Sequence, residues 1–199
     1  SLLRPDHEFL SEFGDIAEGF TVERQIDVET TPLDTCLATN NIGYADVVEL
    51  DTQGSELDVL RGAKRILQDS VVAVQAEVEF APMYAGQPLF ADVDAFMRAQ
   101  HFQLFDLSRY RVRRSTVDPA VATRGQLLWG HALYLRDHRR PQPAELSARL
   151  AVVAALLDLP DLAVCILDRL AVEETDKSLH MAVRRARGAV ADAPWRRLP

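Results

Sequence analysis

Val47-Val48-Glu49-Leu50-Asp51-Thr52-Gln53-Gly54-Ser55-Glu56-Leu57-Asp58-Val59-Leu60 is the stretch that decides how this chain folds. An apolar run ends in a carboxylate, a short polar turn carries one glycine, and an amphipathic helix follows at once. That order predicts a strand-loop-helix crossing of an α/β sheet, and such sheets bind ligands in the loops at the carboxyl ends of their strands. Asp51 stands at that position. Ser55 is placed to cap the helix with Asp58 as the reciprocal carboxylate of a capping box, and Glu56 and Asp58 both suit the positive helix end. Asp51, Gln53 and Gly54 are left needing a functional account.

Working outward, a short helix is expected around Glu8 to Phe13, and the alternation of Phe20, Val22, Ile26 and Val28 predicts a strand. Thr31 and Pro32 open a helix through Leu33 and Leu37, with Thr31 as its cap, and the Asn40-Asn41-Ile42-Gly43 turn ends it. A strand over Ala45 to Leu50 and one helix from Ser55 to about Gln68 follow. Val71 to Phe80 is a β-branched strand, Val93 to Gln100 a helix, and Phe102 begins a further strand. A polar loop from Ser108 to Gly125 leads to a last strand, Leu127 to Leu135. Strands separated by helices, with a last strand reached by a loop, predict an α/β fold with a mostly parallel sheet and an antiparallel edge strand.

Pro141 and Pro143 mark a break at about residue 140, after which the sequence is rich in Ala, Leu and Arg. Three helices fit there: Ala144 to Leu157, Pro160 to Leu170 and Thr175 to Arg187. The expected organisation is a sheet domain over residues 1–140 and a helical extension over 141–199, serving as a cap on the sheet or as a homo-oligomer face.

A chain of 199 residues is long enough for one sizeable core, and 48% hydrophobic with 26% charged residues is ordinary for a globular protein. The formal charge of -8 argues against a duplex nucleic-acid partner, which needs a clustered cationic excess. Arg111, Arg113 and Arg114, and separately Arg184, Arg185, Arg187, Arg196 and Arg197, read as solvated faces. Cys36 and Cys165 read as buried small hydrophobes in a reducing compartment. No apolar run approaches the roughly 18 residues that span a bilayer, so a membrane partner is not expected and a cytoplasmic location follows by default. His7, His101, His131, His138 and His180 show no metal-ligand spacing, and no Walker-type or dinucleotide-type glycine loop occurs.

Glu77 and Glu79 lie on one face of their strand, at its carboxyl end. Two carboxylates on a covered strand cost free energy unless they are paired or open into a cleft. If Asp51 and Glu79 end adjacent strands, they reach one acceptor hydroxyl or one cation; the alternative is a solvent-facing edge. Tyr84 and the loop around Gly86 are placed to line the same cleft.

Thr30-Thr31-Pro32-Leu33-Asp34, then Asp46 through Glu56 with Leu60-Arg61-Gly62-Ala63, then Glu77-Val78-Glu79-Phe80, resemble the FkbM-type methyltransferases. The resemblance continues through Met83-Tyr84, Gln87-Pro88-Leu89-Phe90 and Phe102 to Leu107, and the Asp-x-x-Gly-x-Glu turn is its specific part. It implies a Rossmann-like domain, here an incomplete class I methyltransferase fold, in which S-adenosylmethionine methylates a hydroxyl of a sugar or natural-product-like small molecule. On that resemblance Asp51 and Glu79 are the catalytic candidates, with Gln53, Gly54, Glu77 and Tyr84 as substrate-binding candidates. The family binds its cofactor through a glycine-rich first loop and an acidic residue ending the second strand, and neither is present here. Ser1-Leu2-Leu3-Arg4-Pro5 resembles the segment just after the third strand, so no cofactor-binding residue is assigned. The resulting expectation is the carboxyl-terminal part of an O-methyltransferase, inactive alone. A non-catalytic interaction module and a metal-assisted site on Asp51, Glu77 and Glu79 are the competing readings.

Overall fold

The computed structural model describes residues 1–173 and 177–192. The expected helix start at Thr175 and the arginines Arg196 and Arg197 lie outside the described residues. In chain order the elements are α1 (His7–Leu10), α2 (Gly14–Ala17), α3 (Leu33–Thr39), β1 (Val47–Leu50), α4 (Glu56–Arg61), α5 (Lys64–Asp69) and β2 (Ala73–Glu79). They continue with α6 (Phe90–Ala99), β3 (Phe102–Leu107), β4 (Tyr110–Val112), β5 (Gln126–Arg136), α7 (Ala144–Leu156), α8 (Pro160–Glu173) and α9 (Lys177–Asp192).

The mixed α/β architecture is as expected, with one correction in the sheet. Strand order is β1-β2-β5-β3, with β4 also paired to β5. β1 and β2 are parallel, and β5 runs antiparallel to β2, β3 and β4, so β1 to β4 share one direction. The antiparallel strand is therefore interior, between β2 and β3, rather than at an edge. Its alternating sequence did not reveal this, because an interior strand and a half-covered edge strand bury the same residues on one face. Gly130 gives the physical reason the insertion closes: a Cβ there would lie 2.1 Å from the Ser108 carbonyl oxygen, so only glycine lets the β3–β4 turn come this close.

One face of the sheet carries Val48, Leu50, Val74, Ala76, Val78, Ala132 and Tyr134, and the helices α4 to α6 cover it with Leu57, Leu60, Ile66, Leu67, Val93 and Met97. The far end of the opposite face carries Val72, Ala73 and Leu135, buried under Leu146, Leu150, Ala154, Leu162, Ala163 and Ile166 of α7 and α8. The helical extension is thus a cap on the sheet. Arg149 ties it down, pairing with Asp46 at 2.5 Å and donating to the Ser70 carbonyl.

Three local expectations are corrected. Residues 21–32 form no strand; they run exposed, with no neighbouring strand among the described residues to complete their hydrogen bonds. The helix expected from Ser55 to Gln68 breaks at Gly62, which packs closely on Pro32, and the Asp34 carboxylate accepts the Arg65 and Ile66 amides of α5. Cys36 and Cys165 are exposed, not buried, because the buried stripe of α8 runs through Leu162, Ala163, Ile166, Leu167 and Leu170 and passes Cys165 by.

At the carboxyl ends of β1 and β2, α1 and α2 pack Leu10 and Phe13 against Ala81, Met83, Tyr84 and Leu128. The Asp6 amide donates to the Met83 carbonyl and the Ala85 amide to that of Arg4, which fixes the loop after β2 and with it Tyr84.

Candidate functional site

The turn after β1 is held from within. Gln53 and Gly54 both take positive φ, 58° and 103°, a pair that L side chains rarely tolerate. The Glu56 carboxylate, 2% exposed, accepts the Thr52 amide at 2.6 Å, the Thr52 hydroxyl at 3.0 Å and the Gly54 amide at 2.9 Å. This differs from the expected capping box. Ser55 makes no cap hydrogen bond and instead donates to Thr52, while Asp58 pairs with Arg61 on the surface. Glu56 instead reaches back over the turn and holds it through the Thr52 and Gly54 amides, leaving the helix without a side-chain cap.

Curled this way, the turn brings Gln53 over the end of the sheet. Its amide nitrogen donates to Asp51 and to Glu77, each at 2.7 Å, and its amide oxygen accepts the Tyr84 hydroxyl at 3.1 Å. Four of the residues singled out in the sequence therefore form one hydrogen-bonded network. Glu79 is buried beside it, 2% exposed, with one carboxylate oxygen that has no partner. Gly54, the remaining candidate, shapes the turn, and its N–H is committed to Glu56. The Gln87 side chain was not anticipated: its oxygen accepts the Met83 and Tyr84 amides, and its buried nitrogen has no partner. Glu56, the last residue of the Asp-x-x-Gly-x-Glu turn, and Gln87 both lie within the resembling segments, but neither is singled out there for a role in the site.

No lysine or arginine pairs with Asp51, Glu56, Glu77 or Glu79 among the described residues. Burial first, then the charge of Asp51 and of Glu56, pushes Glu77 up to about 7. Burial, then the charges of Glu56 and Glu77, pushes Glu79 up to about 8. Tyr84 is driven up to about 12 by burial and by the carboxylates around it. Glu77 and Glu79 thus hold protons more tightly than ordinary carboxylates, which suits a site that gives and takes a proton.

Beside the network opens a cavity of about 1490 Å³, lined by Thr52, Ser55, Val59, Tyr84 and the exposed segment 18–28. Among the described residues no group of three or more His, Cys, Asp or Glu is arranged to hold a metal ion, which removes support from the metal-assisted reading. No helix among them is long and apolar enough to cross a membrane.

Residues 6–104 match the family model for the methyltransferase FkbM domain. No curated protein matches the sequence. Among solved structures, a Thermus thermophilus protein described as a DNA modification methylase aligns at 12% identity with a TM-score of 0.29. The alignment covers 54% of this chain and 65% of that one, so the chain spans less than two thirds of its length.

The family implies S-adenosylmethionine, and the residues present do not build a site for it. The strand-to-helix turn of β1 would be the place for an anionic ligand group, but its amides are already taken by Glu56, whose charge would repel such a group. The described residues supply one wall of a cleft.

Proposed function

We propose that this wall is the acceptor side of an S-adenosylmethionine-dependent O-methyltransferase acting on a hydroxyl of a small molecule. The observation that carries the proposal is the Gln53 network, which gathers Asp51, Glu77 and Tyr84 at one point above the ends of β1 and β2. An alcohol that becomes an ether must shed its proton. Asp51, exposed at the mouth and oriented by Gln53, receives it. Glu77 and Tyr84 hold the acceptor in line, an orientation that contributes as much as the proton transfer itself.

The described residues build no site for the cofactor, so the chain alone is proposed to be inactive. Calorimetry of the chain with S-adenosylmethionine should show no saturable binding; tight binding would contradict the one-wall reading. In the longest protein carrying this sequence, transfer of labelled methyl to hydroxyl-bearing acceptors should fall about 10²- to 10⁴-fold in Asp51→Asn. Unchanged transfer would remove Asp51 from the chemistry.

One observation favours a second reading, a non-catalytic interaction module. The outer edge of β1 has no strand beside it among the described residues, and Val47 on it is 47% exposed. Such an edge pairs readily with another chain. A stable oligomer by light scattering that forms without cofactor, together with no methyl transfer, would favour it.

A further inference from the structure

The loop that leaves β5 meets the helical extension at the opposite end of the β2–β5 ladder from Glu79. A recess of about 30 Å³ opens there, lined by His138, Arg140, Gln142, Ser147 and Arg169. No aspartate or glutamate lines it, although the chain carries a formal charge of -8.

The recess is held in shape by its own hydrogen bonds. Arg169 on α8 donates to the His138 carbonyl at 3.1 Å, and the Gln142 amide donates to the Ser147 hydroxyl on α7 at 3.0 Å. The neighbouring carboxylate, Asp137, is taken up by Arg139 through both its oxygens, at 2.9 and 3.1 Å. Three groups are left over among the described residues. His138 Nδ1 is buried without a hydrogen-bond partner. Ser147, 9% exposed, accepts from Gln142, and no protein acceptor takes its own proton. Arg140 is exposed, and its guanidinium pairs with no carboxylate. Leaving buried polar groups unmatched costs free energy, and a single anion would satisfy all three.

We propose that the recess binds a tetrahedral oxyanion, either inorganic phosphate or the phosphoryl end of a phosphomonoester, and that this anion clamps the helical extension to the sheet. A space of about 30 Å³ holds roughly two water-sized atoms, so two oxygens enter it and the rest of the anion lies against the exposed Arg140. No ring or apolar chain fits. One guanidinium and one imidazolium balance a dianion, whereas a carboxylate would leave one of them uncompensated. Burial lowers the His138 pKa; Asp137 opposes this, and Arg139 and Arg169 add to it. A bound dianion favours the charged ring, so His138 should titrate higher with the anion than without it. The recess lies away from the Gln53 network, and its ligand is independent of the methyl-transfer reading.

Sulfate is the first probe, because it stays a dianion through the neutral range and leaves His138 as the group whose titration is read. In proton NMR of the chain, with His138→Gln identifying the signal, sulfate should shift the His138 ring resonance saturably and raise its pKa by about one pH unit. Arg140→Ala should weaken binding about tenfold, with circular dichroism confirming that this surface variant is folded. No saturable shift at millimolar sulfate, an equal response to acetate, or undiminished binding by Arg140→Ala overturns the proposal. Sulfate also stabilises proteins unspecifically, so the clamp is read as a difference: Tm should rise more in the parent than in Arg140→Ala, and equal rises overturn the clamp. Methyl phosphate and inorganic phosphate, compared at one pH, distinguish the two sources. Binding of both supports a phosphomonoester, and exclusion of methyl phosphate supports the free ion.

Discussion

At the scale of single residues, Glu79 makes the sharpest thermodynamic demand. Its pKa is raised from 4.5 to about 8, so between those values the folded protein holds a proton that the unfolded chain has released. Stability therefore falls as pH rises through that window, and the loss is complete above it. Glu79→Gln removes the ionisation while keeping the shape. The variant should match the parent near pH 5 and exceed it at pH 8 by about 3 kcal/mol, read from urea unfolding at the two pH values. A gain independent of pH would show that Glu79 is not the group responsible. Gly54 sets a second test. Its φ of 103° strains any L side chain, and a Cβ added there would lie 3.0 Å from the Gln87 side-chain nitrogen and 3.1 Å from a Leu3 methyl, both of which would have to shift. Gly54→Ala should cost about 1–3 kcal/mol and break the Gln53 bridge. The same melts should reveal the cost, and the Glu77 carboxyl should show a shifted titration by NMR.

At the scale of elements, the sequence was a sound guide where one stretch of chain settles the outcome and a poor one where a distant residue does. β2 and β5 were legible because alternation along a strand is local, and the Asp51 turn was legible because a strand-to-helix switch is written in consecutive residues. The break between α4 and α5 was not. It depends on Pro32 pressing on Gly62 and on Asp34, 31 residues away, accepting the Arg65 amide. The segment 21–32 failed for the converse reason: its alternation is strand-like, but a strand needs a neighbour that local pattern cannot supply. The site followed the same rule. Asp51 and Glu79 could be placed by their strand ends, while the hold of Gln87 on the Met83 and Tyr84 amides emerged only from packing. Asp34→Ala tests the distant cap directly. It should destabilise the protein by about 1 kcal/mol, seen as a lowered urea midpoint, without altering the spectrum of the folded state. No change would mean that α5 is held by Ile66 and Leu67 alone.

At the scale of the whole molecule, the question is whether the helical extension is a separate domain or part of the fold that holds the site. Val72, Ala73 and Leu135 are fully buried with α7 and α8 packed against them, and Ala73 and Leu135 face each other across the β2–β5 ladder whose other end carries Glu79 and Trp129. Removing the extension would expose that apolar surface and leave Arg136 near the carbonyls of Val71 and Gln68 without the cover of Arg149's helix. Each large side chain so uncovered forfeits about 1.5–3 kcal/mol, against a total stability of only about 5–15 kcal/mol for a domain of this kind. A chain ending at residue 140 should therefore aggregate or lose its cooperative melt, with the Gln53 network lost along with β2. Light scattering and thermal unfolding of the shortened chain decide the matter. A soluble monomer with a sharp transition would show that the sheet folds without its cap and that the helices form a domain of their own.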